Sequence, residues 1–208
     1  MIITKLERQK RNKGRVSIYS DNSFRLGVLE DTVFKFGLRI GDKLTDEQFK
    51  EIKEYDEYIS GKKIALNLLA YRNRSREELR KKLAEKKLSS AVIEKVLAHT
   101  EKLGFVNDRQ FAKEFAEGKI GSRPQGRKTL FRKLLQKGVA KEIIEGTLDK
   151  LFTKIDEKDL AEECFYKYFS KVKDKEVMIQ KKKIFEHLTR KGFSYDIINE
   201  LIREKIEK

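Results

Sequence analysis

Apolar residues between Lys62 and Gly104 recur with the spacing of short helices. Ala65, Leu68 and Leu69 stand at i, i+3 and i+4, one side of a first helix. Ser75 heads the run Ser-Arg-Glu-Glu, a capping box in which Glu78 can reach back to the amide of the cap residue. The helix it opens places Leu79 and Leu83 one turn apart. A third helix follows Ser89-Ser90, with Val92, Ile93, Val96 and Leu97 on one face and Gly104 as its stop. Helices this short are marginal alone, so the three are expected to share one small core.

The pattern repeats. KLAEKKLSSAVIEKVL is followed by KLLQKGVAKEIIEGTL and then by HLTRKGFSYDIINELI. Leu83, Leu134 and Leu188 correspond, as do Lys86, Lys137 and Lys191, and Ile93, Ile144 and Ile198, at spacings of 51 and 54 residues. Tandem three-helix repeats predict a mainly α-helical, elongated array in which each repeat packs on its neighbours. The second repeat opens at Asn107-Asp108, with Phe111, Ala112 and Phe115 inward. The stretch Gly118–Gly126, with three glycines and the only proline, is expected to be an exposed loop. The third repeat opens near Asp156 and carries Leu160, Cys164 and Tyr168 on one side; its Lys181-Lys182-Lys183 run lies within a helix ending before Gly192.

The first thirty residues follow a different period. Val16 and Ile18, then Phe24, Leu26 and Val28, alternate with polar or small residues around Asp21-Asn22-Ser23, which predicts a β-hairpin. Ile2 to Arg8 is a candidate third strand, and Thr32 to Leu38 a short helix. Thr45-Asp46-Glu47-Gln48 is a second capping box, leading a helix with Phe49, Ile52, Tyr55 and Ile59 facing inward. Gly61 is expected to separate that helix from the first repeat. The expected division is therefore a β-rich extension with a linking helix over 1–60 and repeats over 61–105, 106–152 and 153–208, the extension being a separable accessory.

Charge changes the picture most. The 208 residues carry 49 Lys and Arg against 34 Asp and Glu, a net charge of +15, which favours polyanionic partners. Residues 61–105 hold 12 cations and 5 acids (+7), and 106–152 hold 11 and 6 (+5), whereas 1–60 and 153–208 carry only +1 and +2. No apolar run approaches the ~18 residues of a membrane span, and the N-terminus lacks the apolar stretch of a signal peptide. One cysteine, Cys164, rules out an internal disulfide framework and fits a cytoplasmic setting.

Candidate chemistry is sparse. His99 and His187 are the only histidines, each within a helix of a different repeat, and no metal-ligand spacing or nucleophilic triad is apparent. His187 reads as a surface or edge residue and Cys164 as core. No enzymatic activity, cofactor or metal is expected. Two basic clusters remain. Arg72, Arg74, Arg76 and Arg80, with Lys81 and Lys82, flank the start of the first repeat's middle helix; Arg123, Arg127, Lys128, Arg132 and Lys133 occupy the matching place in the second. Arginine there adds charge where helix amides already attract anions. The same residues could instead form a merely solvated face.

The stretch Ala65-Leu66-Asn67-Leu68-Leu69, followed by Arg72, Arg74-Ser75-Arg76, Glu78-Leu79 and Lys82-Leu83, resembles the signature of the RecX regulators of the RecA recombinase. Leu103-Gly104-Phe105-Val106-Asn107-Asp108 with Phe111-Ala112, and Gly126 with Lys137-Gly138-Val139 and Ile143-Ile144, resemble that family's later blocks. The chain departs at Lys87-Leu88, where its other copies have Gly138-Val139 and Gly192-Phe193. The resemblance covers about Lys62 to Lys208, and an N-terminal extension of this length is similar to those of Gram-positive members. It implies three tandem three-helix repeats that lie in the groove of the RecA filament on single-stranded DNA. It further implies an inhibitor of filament growth, ATP hydrolysis and strand exchange, in DNA repair, recombination and the SOS response. The implied partners are RecA and single-stranded DNA, with duplex DNA a further candidate, no membrane, and a monomeric chain. Charge alone also permits a protein that binds DNA or RNA directly, or a helical scaffold for another acidic protein.

Overall fold

A computed structural model, described over residues 1–207, gives three strands followed by ten helices. β1 (Lys5–Arg8), β2 (Arg15–Ser20) and β3 (Ser23–Leu29) form one antiparallel sheet in chain order. Asp21 and Asn22 connect β2 to β3 with φ of 52° and 58°. Two successive positive φ values are the geometry whose twist matches paired strands, and short Asp and Asn side chains tolerate it. The helices are α1 (Glu30–Phe36), α2 (Asp46–Tyr71), α3 (Arg76–Glu85), α4 (Ser90–Lys102), α5 (Asp108–Ser122), α6 (Arg127–Gln136) and α7 (Lys141–Phe152). They continue with α8 (Glu157–Phe169), α9 (Val177–Lys191) and α10 (Tyr195–Ile206). The mainly helical fold with three three-helix repeats and a small N-terminal sheet is thus present. Leu83, Leu134 and Leu188 are all completely buried, as their equivalence requires.

The chain forms two compact units. The first holds Met1–Arg72 and Leu79–Phe105; the second holds Asn73–Glu78 and the chain from Val106 onward. In the first, Ile3, Ile18, Val28, Leu38 and Ile52 make a core between the sheet, the segments flanking it and α2. Asp56 on α2 is buried beside it, a polar anchor that the hydrophobic pattern did not mark. Its carboxylate accepts from the Leu29 amide (2.5 Å), the Thr32 hydroxyl (2.9 Å) and the Arg15 guanidinium (2.9 Å). A buried carboxylate is tolerable when so fully satisfied, and here it joins strand, short helix and long helix.

Gly61 does not break the chain. α2 runs through it unbroken for 26 residues, opened by the Thr45–Gln48 capping box in both directions. A Cβ at Gly61 would stand 3.1 Å from Leu88 and Val96, so the glycine serves close packing of α4 on α2. The expected break at Gly61 is therefore corrected: a cut at Lys62 would halve α2 and discard Ile52 and Asp56. The other correction concerns Gly118–Gly126. α5 continues to Ser122, and Pro124, Gln125 and Gly126 are buried rather than exposed.

In the second unit one continuous core runs through α5 to α10, including Leu130, Leu134, Ile144, Phe165, Ile184, Leu188 and Phe193. Within it, the turn after a middle helix docks on an earlier helix start. The Ser75 hydroxyl donates to Lys137 O (2.5 Å), and Lys137 Nζ pairs with Glu78 (2.6 Å). The Gly126 amide donates to Lys191 O (2.9 Å), and Lys128 N–H to Gly192 O (3.3 Å). A Cβ on Gly138 would fall 2.3 Å from Glu77 Cβ, and one on Gly192 2.5 Å from Thr129 N, so both turns require glycine. Lys87 takes the same left-handed conformation, φ 61° against 77° and 91°, with a full side chain. The turn itself therefore closes without glycine; the close approach is what demands it.

Candidate anion-binding face

The two basic clusters differ once side chains are placed. In the first, Arg80 pairs with Glu94 (2.7 Å) and Lys82 with Glu85 (2.8 Å). Arg72, Arg74 and Arg76 are each engaged in interactions as well. The helix amides that sequence reasoning offered to an anion are already occupied. Arg76 N–H donates to the Asp108 carboxylate (2.8 Å), and Arg127 N–H to that of Glu157 (2.8 Å). In both places an acidic residue from the first turn of a later helix does what a ligand would do.

The second cluster is less compensated. Arg127 pairs with Asp149 (2.6 Å), and Lys128 stands over the Tyr195 ring, 5.3 Å from its centroid. Lys133 Nζ donates to the neutral Gln125 (2.9 Å). Arg123, Arg132, Lys133, Lys171, Arg190 and Lys191 pair with no carboxylate among the described residues. Burial, then the charges of Lys119, Lys191, Arg132 and Arg123, hold the Lys133 ammonium below its ordinary pKa. These cations come from the end of α5, from α6, from the turn after α8 and from α9, so the fold concentrates like charge that the linear sequence disperses.

Residues near the end of α9 were missed by the sequence pattern. His187 is half-buried and stacked on Tyr168, with ring centroids 4.0 Å apart. Burial, then Lys191, Arg190 and Lys171, depress its pKa to about 4, so the imidazole is neutral at physiological pH. With Arg123, Lys167, Lys171 and Lys191 it lines a cavity of about 180 Å³. Cys164 is core, its thiol donating to Pro124 O (3.4 Å), with its pKa raised first by burial. No group of three or more His, Cys, Asp and Glu side chains among the described residues could hold a metal ion. No described helix is long and apolar enough to cross a membrane.

Comparisons with known proteins bear on the whole chain. The regulatory protein RecX N-terminal domain matches residues 1–45, and the first, second and third RecX three-helix domains match 62–99, 107–148 and 156–202. The regulatory protein RecX of Clostridioides difficile (strain 630) is 30% identical over 98% of this chain and 95% of its own. That of Clostridium perfringens (strain 13 / Type A) is 32% identical over 97% and 94%. A crystal structure of regulatory protein RecX superposes with a TM-score of 0.73 at 26% identity, covering 98% of this chain and 99% of the other. The crystal structure of RecX from Lactobacillus salivarius gives 0.65 at 27% identity over 72% and 97%. With its sheet and all three repeats so matched, the chain belongs to the RecX family of regulatory proteins.

Proposed function

We propose that the chain binds the RecA filament on single-stranded DNA and restrains its assembly, ATP hydrolysis and strand exchange, as a cytoplasmic regulator of recombination, repair and the SOS response. In this reading it is a monomer without catalytic activity of its own, built from an extension over 1–60 and repeats over 61–105, 106–152 and 153–208. The observation that carries the reading is the unpaired positive charge drawn together from the end of α5, α6, the turn after α8 and α9. Like charges so close repel one another, and a polyanion relieves that repulsion. The family resemblance supplies the identity of the polyanion's carrier. Arg123, Arg132 and Lys133 are the leading contacts, with Arg127 and Lys128 beside them; Arg72, Arg74, Arg76, Arg80 and Lys82 contribute after exchanging their present partners.

The test is RecA's DNA-dependent ATPase with this chain added well below the recombinase concentration. Inhibition at that ratio supports a filament-directed regulator. Inhibition only when the chain is abundant enough to coat the DNA would instead favour direct nucleic-acid binding, a reading that the open basic surface also supports.

A further inference from the structure

A groove of about 470 Å³ lies between α6 and the corner joining α9 to α10, lined by Lys128, Arg132, Thr189, Arg190, Phe193 and Tyr195. Tyr195, the first residue of α10, is 56% exposed although α10's next turn supplies buried Ile198. Its ring stacks on Phe185, with centroids 5.6 Å apart and planes 9° from parallel, which holds it in place. The Lys128 ammonium stands over the ring. Arg132 and Arg190 have no carboxylate partner among the described residues.

A braced, exposed aromatic ring beside three cations is the chemistry that receives an unpaired base with its phosphates. We propose that this groove binds single-stranded DNA by stacking one base on Tyr195, while Lys128, Arg132 and Arg190 meet the neighbouring phosphates. Lys128 is the movable part: its weak hold on the ring is exchanged for a phosphate as the base arrives. Bases of a duplex are stacked on one another and cannot occupy Tyr195 without being extruded, so the groove selects single strands. The inference rests on the reading that this chain acts at DNA-bearing filaments, and it adds the place and the mode of strand contact.

The test uses the full chain without recombinase, and two fluorescein-labelled oligomers of equal length and charge, one of thymidines and one of abasic sites. Anisotropy at fixed salt should show the thymidine oligomer bound roughly fivefold to a hundredfold more tightly, the range for one stacked base. Tyr195→Leu should abolish that ratio and Tyr195→Phe should keep it, the second variant guarding against a loss of fold in the first. Combined Lys128→Gln and Arg190→Gln should weaken both oligomers alike. It should also flatten the dependence of log affinity on log salt by about 1.4, two contacts at ~0.7 each. A wild-type ratio retained in Tyr195→Leu overturns the inference, as does an unchanged salt slope in the double variant. Such a failure leaves the regulatory reading standing; intact stacking in a chain that does not inhibit RecA removes that reading and leaves the groove.

Discussion

The first and second repeats place different residues at equivalent positions, and both differences trace to what each position touches. At the turn after the middle helix, Lys87 keeps its side chain where Gly138 cannot, because Gly138 lies against Glu77 and Lys87 is exposed. On the middle helix itself, Arg80 pairs with Glu94, whereas the equivalent position holds the uncharged Phe131, and nearby Arg132 and Lys133 pair with no carboxylate among the described residues. A repeat therefore fixes a backbone and a core. The charge its surface leaves available depends on what else the fold brings there.

The core side of this comparison should show no difference at all. Leu83→Ala, Leu134→Ala and Leu188→Ala each empty a completely buried site, and each should cost ~2–5 kcal/mol in urea unfolding. A loss well under ~1 kcal/mol at any one would break the equivalence of the repeats. The turn should separate them. Gly138→Ala and Gly192→Ala place a Cβ 2.3 and 2.5 Å from its nearest neighbour, and overpacking of that kind costs ~1–3 kcal/mol. Lys87→Gly removes a left-handed side chain with nothing docked on it, and should be neutral or stabilising by up to about 1 kcal/mol. If alanine at position 138 is tolerated as easily as lysine at 87, docking does not explain the glycines.

A smaller effect sharpens the contrast on the charged side. Because the fold holds His187 near 4, below its ordinary 6.5, the unfolded chain takes up the proton first as pH falls. Stability should be intact above about 6.5 and decline between there and about 4, in addition to any carboxylate effect at the acid end. What sets this is burial, with Tyr168 stacked on the ring, then Lys191 and Arg190 on α9 and Lys171 just after α8. His187→Phe keeps a ring against Tyr168 and should flatten that part of a pH series of unfolding midpoints. An unchanged slope would show that the charge around α9 is screened.

Much of this was legible in the chain. The Thr45 and Ser75 caps, the Gly104 stop, the alternating strands and the three leucines are local signals, and local hydrogen bonding or burial realises each of them. Gly61 misled because glycine in a helix reads as a break, whereas here its absent Cβ admits Leu88 and Val96. Pro124 to Gly126 misled for a similar reason: turn-forming residues were read as exposed, but the Gly126 amide is spent on Lys191 O. Asp56 was invisible because its three donors come from positions 15, 29 and 32. The basic clusters were visible as composition, but which charges are paired is a property of distant neighbours. Lys171, Arg190 and Lys191 sit in a segment whose net charge of only +2 concealed them. Nothing in the sequence pattern singled out Tyr195; its place at the first residue of α10 leaves it exposed.

The central claim is that the unpaired cations of the second and third repeats carry most of the hold on the polyanion, and the engaged arginines of the first add little. The most direct measurement is the salt dependence of binding to a thymidine oligomer, compared between two charge-matched variants. Arg123→Gln with Arg132→Gln should reduce the slope of log affinity against log salt by about 1.4. Arg74→Gln with Arg80→Gln should change it by less than about half of one contact, ~0.35, because Arg80 is already matched by Glu94. Melting temperatures within a few degrees of the parent protein would show that neither pair is needed for folding. A full slope retained in the first variant and lost in the second would contradict the account and return the binding face to the first repeat.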